Sequence, residues 1–164
     1  MSDIPVPFRA PPMRVREDWI DYNGHMNVAW YVLVFDRCVD EAFKTVGMGP
    51  EYVARRNASF FTVETHIRYL HELPVGAPLQ ATLQLLACDA KRMRAFLELT
   101  NTETGDLSAT ADQLFLHVDV ASRRAAPFPD DVMARLEAMR AAHSRLPWPE
   151  GAGRAIRFGS PEEA

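Results

Sequence analysis

The sequence predicts an α+β fold, built from one long helix and a set of consecutive antiparallel strands. Three observations carry that prediction. From Val28 to Phe35 there is no charged side chain, and then Asp36, Arg37, Asp40, Glu41 and Lys44 recur at spacings of three and four, the mark of a helix with one wetted stripe. Downstream, four segments alternate apolar with polar residues or concentrate aromatic and β-branched ones, each closed by a turn signal. Their order, one strand, one wrapped helix and then strand after strand, is that of an α+β protein.

In chain order, residues 1–12 hold Pro5, Pro7, Pro11 and Pro12 and predict an extended arm without regular structure. Met13, Val15 and Trp19 against Arg14, Arg16 and Asp18 predict a short strand over 13–19. Asn27 is a good N-cap and Gly47 a good terminator, so the helix should run from about 28 to 46, its first two turns wrapped in protein and only its later turns wet. Residues 48–59 read as a polar, partly helical connection. Strands follow at 60–70, 79–85, 92–100 and 107–120, with turns at Pro74–Pro78 and at Asn101–Asp106. A second, amphipathic helix is expected over 129–146, with Pro129 in its first turn, Asp130 and Asp131 at its amino end, and Val132, Leu136, Met139 and His143 on one face. The Pro- and Gly-rich tail, 147–164, should be extended or partly disordered. Residues 13–146 thus form the single folded domain, between the arm and the tail.

Composition narrows the function. A length of 164 residues, 48% hydrophobic and 24% charged, is ordinary for one soluble globular domain. The net charge of −4 argues against nucleic-acid binding. Two cysteines without metal or CxxC spacing, Cys38 and Cys88, fit core positions in a reducing compartment. No secretory signal and no membrane-length apolar run is visible, so a cytoplasmic address is expected.

The chemistry concentrates in Asp21-Tyr22-Asn23-Gly24-His25-Met26-Asn27, directly before the long helix. The first backbone N–H groups of a helix lack partners inside it and carry partial positive charge, which suits an oxygen that becomes negative during reaction. Gly24 allows close approach to the backbone, Asp21 can act as base or nucleophile, Asn23 can orient a water or carbonyl, and His25 can shuttle a proton. A plain surface turn uses the same residues. A calcium loop is excluded, because Met26 stands where such a loop needs glycine and Val32 where it needs a bidentate glutamate.

The run Trp19 to Asn27, with Tyr31 beyond it, resembles the active-site segment of hotdog-fold thioesterases. Its Asp-x-Asn-x-His-x-Asn spacing is similar to plant acyl-ACP thioesterases, and the interval from Asp21 to Tyr31 is similar to the 4-hydroxybenzoyl-CoA thioesterase type. The resemblance is strongest to the bacterial betainyl-CoA thioesterases of carnitine degradation. It extends to Ile67-Arg68-Tyr69-Leu70, Asp89-Ala90-Lys91-Arg92, Leu116-His117-Val118-Asp119 and the run from Arg123 to Pro129. It implies a hotdog fold, a curved sheet wrapped around one central helix, and hydrolysis of an acyl-CoA in a homodimer or dimer of dimers, with no cofactor. A non-hydrolytic acyl-CoA or acyl-carrier binding protein, or an enoyl hydratase or dehydratase, is the competing reading on the same fold.

The family usually brings a second acid from elsewhere. Alignment with the plant-type pattern puts Glu72 there, although Leu73 replaces the cysteine often found next to it, and Glu64, between apolar neighbours in a strand, is the rival. Lys91, Arg92 and Arg94, and separately Arg123 and Arg124, are candidate anchors for the polyanionic CoA nucleotide. Gly24, Met26, Asn27, Trp30, Tyr31 and Tyr69 are candidate substrate contacts, and Trp19 and Phe60 add aromatic faces for a quaternary ammonium. His117 is a further candidate, whereas His66, His71 and His143 look like ordinary strand or helix positions. No metal site is expected.

Overall fold

The alternation along four long strands decides the architecture. In the computed structural model, which describes residues 4–157, these are β3 (Ala58–Tyr69), β4 (Pro78–Cys88), β5 (Arg92–Asn101) and β6 (Leu107–Asp119). Leu79, Leu83 and Leu85 of β4, Met93, Ala95, Leu97 and Leu99 of β5, and Ala109, Ala111 and Phe115 of β6 are all buried on one face. Register lines them up, Leu83 beside Leu97 beside Ala111. A slip of one residue would turn the whole set to water, so the pattern itself holds the pairing.

Helix α1 (Val28–Lys44) lies across this inner face. Phe43 packs edge-on against Phe60 and Phe115, with ring centroids 5.1 and 5.4 Å away. The helix begins where expected, with Asn27 Oδ1 accepting from the Ala29 N–H at 3.0 Å. It ends at Lys44, before a turn in which Gly47 takes a φ of 85°. The expectation that its first two turns are wrapped is corrected, because Val28 and Val32 are 54% and 46% exposed. Their flank faces β3, which is the outermost strand of the sheet order β1-β4-β5-β6-β3.

The arm is more ordered than its prolines imply. Phe8–Arg9 (β1) and Met13–Arg14 (β2) add rungs to the outer edge of β4, and β2 is far shorter than the expected strand over 13–19, giving way to a 3-10 turn at Glu17–Trp19. The connection after α1 contains α2 (Pro50–Arg56), and β7 (Arg124–Ala125) pairs with β6. Helix α3 (Asp130–His143) buries Val132, Leu136, Met139 and His143 as its spacing requires. Pro129 caps this helix from outside and does not enter its first turn, because its ψ of 149° is extended. The described part of the tail is docked on the outer sheet face and is not free. Gly153 N–H donates to Asp112 at 2.7 Å, and Arg94, bidentate to Asp112, lies 5.8 Å from the centre of the Trp148 ring. Residues 158–164 lie outside the described residues.

Candidate active site

The motif folds into a tight turn whose hydrogen bonds converge on one carboxylate. Gly24 N–H donates to Asp21 O at 2.9 Å and Asp21 N–H to His25 O at 3.2 Å, a closure for which Gly24 adopts a φ of 83°. Asn23 then gives its backbone N–H to Asp21 Oδ1 at 2.8 Å, and Asn27 Nδ2 donates to Asp21 Oδ2 at 2.9 Å. Asn27 therefore works twice, capping α1 with its oxygen and fixing Asp21 with its nitrogen. The Asn23 amide, and next the Asn27 side chain, hold the Asp21 carboxyl below its ordinary pKa, so it is ionised at neutral pH.

Two strands of contact tie this turn to the fold. Met26, 1% exposed, gives its N–H to Leu73 O at 2.8 Å, and Asn27 gives its own to Trp19 O at 2.9 Å. Trp19 stacks on Trp30 with centroids 5.2 Å apart, so both tryptophans brace the turn. Gly24, Met26 and Asn27 thus spend their amides internally. Of the amides from Gly24 to Val28, those of His25 and Val28 make no hydrogen bond among the described residues, which leaves these two of that segment as donors to a developing oxyanion.

His25 reaches Glu72 at 3.9 Å through Nε2 and stands 3.4 Å from Met26 O through Nδ1. The structure therefore gathers Asp21, Asn23, His25, Asn27 and Glu72 at one place, with Tyr31 buried nearby against Tyr69 at a centroid distance of 5.1 Å. Burial, then the neighbouring Tyr69 and Glu72, push the Tyr31 phenol up to about 12, so it stays a neutral hydroxyl.

Glu64 is not brought to this cluster. Plain alternation from Phe60 would turn it inward, but a bulge between Thr62 and Glu64 shifts the phase, so Thr65 pairs with Gln113 on the inner face and Glu64 points outward beside Leu114. The cationic candidates also lie elsewhere. Lys91 and Arg92 begin β5, Arg123 and Arg124 follow β6, and Arg92 is paired with Asp89 at 2.6 Å. Their end of the sheet is separated from the motif end by the ten residues of β5, roughly 33 Å. His117 is a structural bracket, held by Tyr52 Oη and Ala126 O at 2.8 Å each.

A cavity of 310 Å³ between the arm, α1 and β4 contains Val34, Cys38 and Leu79 but no motif residue. Burial pushes the Cys38 thiol up to about 12, so it is inert. Among the described residues no three His, Cys, Asp or Glu side chains gather closely enough to hold a metal, and no helix is long and apolar enough to cross a membrane. Gln113 shares the inner face of β6 with Ala111 and Phe115, as a period of two places it.

Residues 15–136 match the family model described as the thioesterase-like superfamily. The chain is 38% identical over 156 residues to a betainyl-CoA thioesterase of Pseudomonas aeruginosa, covering 95% of this chain and 96% of that one. It is 40% identical over 154 residues to an L-carnitine dehydrogenase/betainyl-CoA thioesterase of Rhizobium meliloti, covering 94% of this chain but spanning only 31% of that protein's length. Among solved structures, a Staphylococcus aureus protein in complex with CoA superposes with a TM-score of 0.88 at 27% identity, covering 97% of this chain and 99% of that one. A Pseudomonas putida protein described as a putative thioesterase superposes at 0.79 and 30% identity, covering 94% and 98%.

Proposed function

The chain belongs to the thioesterase-like superfamily, and from that premise we propose that it hydrolyses a small, polar acyl-CoA, with betainyl-CoA the leading substrate. The observation that carries the reading is the Asp21 carboxylate, held ionised by the Asn23 N–H and Asn27 Nδ2 beside two free backbone donors. Asp21 takes a proton from a water whose oxygen attacks the carbonyl carbon, or attacks that carbon itself to form an anhydride, which water hydrolyses after the thiolate has left to release the acid and restore the carboxylate. The carbonyl oxygen becomes negative and is received by the His25 and Val28 amides. The C–S bond then breaks, the thiolate leaves and is protonated with His25 as the relay, and the products are the free acid and CoA. Glu72, 3.9 Å from His25 Nε2, sets a second acidic group beside the relay.

We assign the functional unit as a homodimer, alone or paired as a dimer of dimers, formed along β3. That strand is twelve residues long, lies at a sheet edge, and exposes Phe61 and Val63 at 43% and 53%. Two-fold antiparallel pairing of this edge sets the Tyr69 end of one copy beside the Ala58 end of the other. The partner's Lys91, Arg123 and Arg124 end then approaches the first copy's Asp21 end, which is how those cations can serve the CoA nucleotide. The free cysteines Cys38 and Cys88 support a reducing, cytoplasmic location.

The test is thiol release from betainyl-CoA, short and medium acyl-CoAs and an aromatic acyl-CoA, comparing wild type with Asp21→Asn. Turnover centred on betainyl-CoA and lost in the variant is the expected result. CoA-ester binding without thiol release by the wild type would replace hydrolysis with a binding role.

A further inference from the structure

Where the tail leaves α3 it turns part of the outer sheet face into a pocket. Residues 146–150 and Pro7 of the arm wall a cavity of 360 Å³ that is also lined by Thr82 and Gln84 of β4 and by Phe96 and Glu98 of β5. These four strand residues alternate with the inward set Leu83, Leu85, Ala95, Leu97 and Leu99, so the cavity lies on the face of the sheet away from α1. No residue of the Asp21 motif lines it.

Its polar lining consists of acceptors. Gln84 gives its Nε2 to two carbonyls, His143 O at 3.4 Å and Pro147 O at 3.3 Å, which fixes the amide, since an oxygen turned that way would face two acceptors. Gln84 Oε1 therefore stays an acceptor, beside the carboxylates of Glu98 and Glu150. No Lys, Arg or His lines the cavity. Arg9 and Arg68 stand in the same row of the sheet as Glu98, two strands to either side, and neither neutralises it. Burial alone acts on the Glu98 carboxyl and raises its pKa, with no hydrogen bond or neighbouring cation opposing. Asp112 on the adjoining strand is treated differently, receiving a bidentate Arg94 and the Gly153 N–H. Glu98 is a carboxylate without a counter-ion, set against the Phe96 and Trp148 rings.

We propose that this cavity binds a protonated alkylamine, its N–H groups donating to Glu98 and to Gln84 Oε1 and its aliphatic body lying against Phe96, Trp148 and the flanking prolines. An ammonium carries three donors and no acceptor, which matches a lining of acceptors, and its bond to a carboxylate is charge-assisted. A neutral alcohol of the same length forfeits the charge, a quaternary ammonium has no N–H to give, and an anion meets two carboxylates. The site is separate from the acyl-CoA site and stands whether or not the thioesterase reading does. Because residues 146–150 supply one wall, an occupant also ties the tail to the sheet.

The experiment is calorimetric titration of the whole protein with n-pentylamine, n-pentanol and tetramethylammonium. Pentylamine should bind at a single saturable site with a Kd of about 1 mM or tighter, and the other two at least about tenfold more weakly. Glu98→Gln, which keeps the size and removes the charge, should weaken pentylamine by about tenfold or more, with thermal melting confirming that the variant is folded. Thr82→Val should weaken it by a smaller factor, and carries the test if Glu98→Gln does not fold. Absence of saturable pentylamine binding overturns the proposal. Equal binding of pentanol reduces the cavity to an apolar cleft, equal binding of tetramethylammonium removes the role of the N–H donors, and unchanged affinity in folded Glu98→Gln places the amine elsewhere. Each of these also overturns it.

Discussion

At the motif end, His25 is one-third exposed and its polar contacts are long, 3.4 Å to Met26 O and 3.9 Å to Glu72. On the far flank, His143 is fully buried, with Leu85 N–H donating to Nδ1 at 2.8 Å and Nε2 donating to Pro5 O at 2.8 Å. The second arrangement admits one tautomer. It completes the β4 edge just past Leu83, where pairing with β1 stops, and pins the arm to α3. The motif instead spends its bonds on a carboxylate and leaves the imidazole and two amides uncommitted. The difference teaches that bond count separates the two uses of one residue type. A saturated histidine builds structure, and a loosely held one beside an ionised carboxylate is free for proton transfer.

The largest break in this comparison comes from Asp21→Asn. It should lower kcat by about 10²- to 10⁴-fold while moving Tm by less than about 2 °C, read by thiol release and thermal melting of the same samples. His143→Ala should do the reverse. It strands the Leu85 N–H and the Pro5 carbonyl and opens a void, costing about 3 kcal/mol in urea unfolding, while kcat per folded molecule is retained. Asn27→Ala touches both sides, removing a helix cap worth about 1 kcal/mol and one of the two Asp21 donors. A kcat reduced by about tenfold with that modest loss of stability would show the two jobs acting together.

The smallest effect is in pH. Burial lowers the His143 pKa below its ordinary 6.5, with the Pro5 hydrogen bond opposing, so the folded protein holds it neutral. Its contribution is fully present above the unfolded value of about 6.5 and is lost as pH falls through the folded value, because the unfolded chain then binds the extra proton. His143→Gln can keep both hydrogen bonds without titrating. The wild-type stability should fall relative to that variant below pH 6.5, by no more than about 1.4 kcal/mol per pH unit, and parallel curves would remove His143 from the acid sensitivity.

Much of the site was legible because it is local. Asp21, Asn23, Gly24 and Asn27 lie within seven residues, and turn and cap chemistry are written in adjacent side chains. The long strands were equally readable, since a period of two survives in any sheet that buries one face. The face taken by Glu64 was not legible because one bulged residue reverses that period, and nothing in the strand's own sequence marks it. The charge-free start of α1 looked wrapped because apolar runs state a need for burial without naming what supplies it; in this chain the β3 flank stays open.

The sequence by itself determined the α+β order, the helix start at Asn27, the strand faces and the cluster around Asp21, all set by neighbours a few bonds away. Tertiary structure alone decided that Glu72 rather than Glu64 meets His25 and that the cationic groups lie at the opposite end of the sheet from Asp21. It also decided that His143 joins partners 58 and 138 residues distant, and that Gln113 of β6 meets Thr65 of β3. Those outcomes depend on register and packing between segments remote in the chain, where the closing of long loops, and not any local preference, selects the neighbours.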